Sequence, residues 1–88
     1  MTALAFLNTA AAVADPTRLR MLSALHGGPL SVGQLGSSVG ITSSVATYHV
    51  HRLGDAGLVA TERHGRTTLV HRIERRWAAI VRALDSTE

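Results

Sequence analysis

Apolar side chains mark out five helical stripes along the chain. Leu4, Leu7, Ala11 and Ala14 share one face, with Phe6, Ala10 and Val13 beside it, and this spacing predicts a helix over residues 3–14. That apolar face is wide for a terminal helix. It either packs on its own core or is covered by a second copy of the chain, and the small size favours the second copy. Asp15-Pro16 is a start signal, an N-cap carboxylate followed by Pro at the first helical position. The second helix runs to about His26, with Leu19, Met21, Leu22 and Leu25 read as inward and Arg18 and Arg20 as outward. Gly27-Gly28-Pro29 ends it. Ser31 caps a short helix over 32–39 with Val32, Leu35 and Val39 inward. Gly33 and Gly36 lower its intrinsic propensity, so packing must hold it. Gly40 makes a tight turn and Ile41 returns to the core.

The fourth stripe lies in Ile41 to Leu53. Thr42 is a good N-cap and Gly57 a left-handed stop. Ala46, Val50 and Leu53 face inward with His49 beside them, read as a partly buried, hydrogen-bonded core residue. The opposite face carries Ser43, Ser44, Thr47, Tyr48 and His51, with hydroxyls and imidazole and no carboxylate. Short donors and acceptors of this kind suit the edges of base pairs in a major groove. Residues 58–63 then read as a strand, His64-Gly65 as a two-residue hairpin turn, and residues 66–73 as the return strand. Its imperfect alternation leaves the buried face open. In the last helix, from Glu74 to about Asp85, Trp77, Ile80, Val81 and Leu84 fall at helical spacing. The reading is mainly α with a small β-hairpin (α+β), in the order α-α-α-α-β-β-α. The third and fourth helices, joined by a glycine turn, form a helix-turn-helix.

Composition narrows the class. The chain has 88 residues, 45% hydrophobic and 17% charged, so one folded domain over 1–88 is expected, with a core small enough that dimerisation would help it. Its nine basic residues are all Arg, and the formal charge is +3. Arg serves phosphate binding and planar recognition, although GC-rich coding accounts for the missing Lys. There is no Cys, hence no disulfide framework and no thiolate metal site. No apolar run approaches the roughly 20 residues of a membrane span, and a cytoplasmic location is the default. The tip Arg63-His64-Gly65-Arg66 is short and basic, either a solvated turn or a wing able to follow a charged groove.

In combination, ADPTRLRML, LSVGQL, SSVATYHVHRLGDAGLV and ERHGRTTLVHRI resemble the arsenic-repressor (ArsR) family of small dimeric bacterial transcription regulators. The resemblance spans about Ala12 to Leu84. It implies a winged helix-turn-helix whose 42–56 helix enters the major groove of double-stranded DNA, at an inverted-repeat operator. It places Ser43, Ser44, Thr47, Tyr48 and His51 toward the bases, Arg52 near the phosphates, and Arg63, His64 and Arg66 on the wing; Thr42 joins them as the cap of that helix. It also implies a homodimer through the first and last helices, with Leu4, Phe6, Leu7, Trp77, Ile80, Val81 and Leu84 as the interface residues. The chain departs from the family's metal patterns. The arsenic-type cysteine pair corresponds here to Ser31 and Gly33, and the last helix offers Glu74 and Asp85 but no His. No metal and no cofactor are expected.

The leading reading is a dimeric, sequence-specific transcriptional regulator, more readily a repressor, with its effector open. The alternative is a winged-helix module that binds protein and not DNA. An enzyme has no support, because no motif pairs a nucleophile with a base and no phosphate loop is present.

Overall fold

The computed structural model describes residues 3–86. The elements are α1 (Ala3–Val13), α2 (Pro16–Ala24), β1 (Leu30–Ser31), α3 (Val32–Val39), α4 (Ser43–Asp55), β2 (Val59–His64), β3 (Thr67–Arg72) and α5 (Glu74–Asp85). A turn of 3-10 helix, Leu25–Gly27, extends α2.

The helix starts follow from local capping chemistry. Asp15 accepts from the amides of Thr17 and Arg18 at 2.8 and 3.1 Å, with Pro16 behind it at the first helical position. Ser31 and Gln34 form a reciprocal capping box at α3: Gln34 N donates to Ser31 Oγ, and Ser31 N donates to Gln34 Oε1, both at 3.0 Å. Thr42 caps α4 by accepting from Val45 N at 3.2 Å. At the other end of α4 the chain turns through Gly57 at φ 74°, and Leu58 N donates back to the Leu53 carbonyl at 2.9 Å.

Two features of α2 differ from the sequence reading. Arg18 does not project outward. It is only 9% exposed, and its Nε donates to the Ala12 carbonyl at 2.6 Å, in the last turn of α1. That carbonyl is among those a helix leaves without an internal partner, and a guanidinium there also suits the negative end of the helix dipole. Leu19 is not inward but exposed. The core takes Met21, Leu22 and Leu25 from this helix, and joins them to Leu35, Ala46, Val50, Leu53, Leu58, Val59, Val70 and Ile80.

The sheet has three strands and not two, in the order β1-β3-β2, all antiparallel. β1 is a two-residue strand pairing Leu30 with Val70 and Ser31 with Leu69. It ties the start of α3 to the hairpin. The hairpin register pairs His64 with Thr67, so the turn residues are Gly65-Arg66, one position later than the sequence suggested. Gly65 takes φ 62°, and no residue other than glycine has positive φ among those described. That is the pattern of a primed turn with Gly first, whose twist matches the strands. Val70 and Val59 turn to the core, whereas Thr61 to Thr67 are exposed.

Arg72 joins three parts of the fold. Its guanidinium forks onto the Glu74 carboxylate at 2.8 and 3.1 Å, donates to the Leu22 carbonyl at 2.9 Å, and lies 5.2 Å from the Trp77 ring centre. The hairpin, the end of α2 and the start of α5 are thereby fixed together. Thr9, buried in α1, donates to the Ala56 carbonyl at 3.2 Å and holds α1 against the end of α4.

Candidate nucleic-acid interface

The two helices around the glycine turn meet without clearance. A Cβ built on Gly36 would stand 3.0 Å from the Ile41 carbonyl oxygen and 3.2 Å from Ala46 Cβ. Gly40 turns the chain at φ 75°, and Ile41 N donates to the Gly36 carbonyl at 2.9 Å. These contacts fix the angle at which α4 leaves α3, and so fix which of its faces is exposed. Ala46, Val50 and Leu53 are buried, while Ser43, Ser44, Thr47, Tyr48, His51 and Arg52 are exposed.

The exposed face of α4 and the hairpin enclose a groove of about 710 Å³. Thr47 and His51 line it from the helix, and Arg63 and Thr68 line it from the strands. A continuation of about 340 Å³ lies toward the N-termini of α3 and α4, where Ser43 and Thr47 face Arg66 and Thr67. Five of the residues singled out in the sequence therefore meet along one concavity: Ser43, Thr47 and His51 on one wall, Arg63 and Arg66 on the other.

The remaining residues are placed differently. Ser44 and Tyr48 are exposed, and the Tyr48 ring meets His49 edge-on at 5.3 Å between centres. Arg52 lines a separate cleft of about 210 Å³ with Ala11, Ala12 and Asp55, on the α1 side of the helix. His64 stands 3.2 Å from the Glu62 carboxylate. Arg63 folds over the turn, its Nε donating to the Gly65 carbonyl at 2.8 Å.

Several hydroxyls are already committed. Thr47 Oγ1 donates to the Ser43 carbonyl at 2.9 Å, which leaves its oxygen lone pairs and its methyl group to face outward. The Thr42 hydroxyl is engaged as a cap. His49 is half-buried, as the spacing suggested, but among the described residues its Nδ1 has no hydrogen-bond partner. The absence of carboxylates also ends with the last turn of α4: Asp55 lines the far end of the groove. Val45 and Thr68 were not singled out from the sequence. Val45 is exposed on the first turn of α4, and a helical projection would have found it. Thr68 reaches the groove through strand register, which no local pattern reveals.

On the interface residues, Leu4 is 69% exposed and Val81 is exposed as well. Trp77 is half-buried under Arg72. Ile80 is 2% exposed in the core of the chain itself, which leaves it almost no surface for a second copy. The side chains of Phe6, Leu7 and Leu84 lie outside the described residues. None of the described helices is long and apolar enough to cross a membrane.

A tight helix pair, an exposed second helix and a hairpin flanking it define a winged helix-turn-helix. Residues 13–62 match the family described as a helix-turn-helix domain. The HTH-type transcriptional regulator NmtR of Mycobacterium tuberculosis is 37% identical over 60 residues, which cover 68% of this chain and 50% of NmtR. The chain thus spans about half the length of that relative. The crystal structure of an ArsR family transcriptional regulator superposes with a TM-score of 0.81 at 27% identity, covering 93% of this chain and 90% of the other. The homodimeric winged helix-turn-helix DNA-binding domain of a possible ArsR-family regulator from Mycobacterium bovis has the same fold, with a TM-score of 0.79 at 22% identity and coverage of 94% and 81%. The chain belongs to the helix-turn-helix domain family and is similar in fold to ArsR-family regulators.

Proposed function

We propose that this chain is a dimeric, sequence-specific DNA-binding transcriptional regulator. In this reading α4 enters the major groove, and the hairpin from Arg63 to Arg66 lies on the flanking backbone or minor groove. The observation that carries it is the concavity itself. A wall of Ser43, Thr47 and His51 faces a wall with Arg63 and Arg66, so groups suited to base edges and groups suited to phosphates act side by side.

The homodimer rests on the exposed Leu4 of α1 and Val81 of α5, and on the homodimeric state of the M. bovis domain. Two copies related by a two-fold axis would present their α4 helices about one helical turn apart and read an inverted repeat. Repression is the simpler action, since occupying an operator needs only the DNA-binding face.

Titration against random duplex at low salt, followed by selection of bound duplexes from a random pool, tests this reading. Salt-dependent binding and recovery of an inverted repeat support it. Absence of binding to any duplex overturns it in favour of a protein-binding module.

A further inference from the structure

Among the described residues, α4 exposes two large apolar side chains, Val45 and Tyr48, at 44% and 58%. They stand three positions apart and are therefore neighbours on the helix surface. We propose that Val45, supported by the Tyr48 ring, contacts the 5-methyl group of a thymine and sets base preference at that step. The inference rests on the DNA-binding reading above and adds a specificity residue to it.

Val45 is not among the residues of the hydrophobic core. The core positions of α4 are Ala46, Val50 and Leu53. Ile41, the residue before the cap, packs against that core, and its staple partner by position is Ala46, not Val45. The Val45 backbone amide donates to Thr42 Oγ1 as part of the helix cap.

The third helical position also has a better local occupant, and this chain uses it elsewhere. In α3 that position holds Gln34, which closes the capping box with Ser31. In α4 the same position holds Val45, which forgoes the reciprocal bond and carries the weaker helix propensity of a β-branched residue. The exposed part of Val45, beside the exposed Tyr48 ring, leaves an apolar surface available to a group outside the chain. Of the groups that base pairs present in the major groove, the thymine 5-methyl is the apolar one. Ser44, exposed on the same turn, offers a short polar group to an adjacent base edge.

The test uses a duplex selected from a random pool, with each half-site thymine replaced in turn by deoxyuridine, which removes only the methyl group. Binding is measured at fixed salt for the unmodified chain, for Val45→Ala and for Val45→Gln. The unmodified chain should lose about fourfold in affinity at one thymine, the value of one buried methyl at ~0.8 kcal/mol. Both variants should lose affinity for the thymine duplex and become indifferent to deoxyuridine at that position. Val45→Gln should also unfold at a higher temperature, since it can complete the capping box, so its loss of discrimination is not a loss of fold. An equal loss by the variants on thymine and deoxyuridine duplexes overturns the proposal, as does selection of half-sites without thymine. If the unmodified chain binds no duplex, the function reading falls first and takes this inference with it.

Discussion

Arg18 Nε donates to the Ala12 carbonyl at 2.6 Å, and this bond crosses the corner between α1 and α2. A charge-assisted bond of this kind contributes about 1.5–3 kcal/mol when its partner would otherwise be left unsatisfied. Arg18→Met keeps most of the stem packing and removes the donor. It should lower the urea unfolding free energy by about 2 kcal/mol. An unchanged midpoint would show that water replaces the guanidinium at no cost.

The glycines of α3 should respond in opposite directions. Gly33→Ala meets only Ser43 Oγ and Ser31 Oγ, at 3.8 and 4.0 Å, which is ordinary contact. It should stabilise the chain by a few tenths to about 1 kcal/mol through helix propensity. Gly36→Ala gains the same propensity but drives a methyl group to 3.0 Å from the Ile41 carbonyl oxygen. Overpacking of about 1–3 kcal/mol should outweigh the gain. Thermal unfolding of the two variants side by side decides it; a Gly36→Ala chain more stable than the parent would refute the tight seam.

Asp15 gives a pH-dependent prediction. The amide of Arg18, and after it that of Thr17, holds its carboxyl below the ordinary value of 3.8. A folded-state pKa below the unfolded one stabilises the fold above the unfolded value, and the stabilisation fades as pH falls through the folded value. Asp15→Ala should cost about 1 kcal/mol near neutrality, as a lost cap. The gap between variant and parent should narrow as the pH drops below the ordinary value of 3.8. Chemical unfolding across that range measures it, and a gap independent of pH would show that the carboxylate charge plays no part.

Within the proposed DNA complex, Arg66→Ala removes a cation from the turn. It should weaken binding to all duplexes and reduce the salt slope by about one. Ser44→Ala should instead change which bases are preferred, with the salt slope intact. Titrations at several salt concentrations separate the two outcomes. Unchanged affinity and slope in Arg66→Ala would remove the wing from the interface.

The sequence made the helices legible wherever a short-range device sets them. Thr42 and Gly57 bracket α4, and Asp15-Pro16 opens α2, because caps and positive-φ stops act over a few residues. The tilt of the helix face was legible from the spacing of Ala46, Val50 and Leu53. What escaped was set by distant partners. β1 is two residues long and exists because Leu69 and Val70 lie beside it. Arg18 looked like a surface cation, since nothing local shows that the Ala12 carbonyl comes within its reach. The hairpin slipped by one position because both His64-Gly65 and Gly65-Arg66 satisfy the need for glycine, and cross-strand register chose between them. Of the proposed interface, the α4 wall was readable and the opposite wall only in part, through Arg63 and Arg66.

The seam at Gly36 bears on how such a protein can be controlled. A methyl group added at Gly36 would press on the Ile41 carbonyl oxygen and on Ala46 Cβ, so α3 and α4 are packed closely at this point. In the proposed regulator, a signal that loosens the hold on DNA would find little slack between these helices. It would have to change the spacing or tilt between whole blocks, and so would act far from the bases themselves.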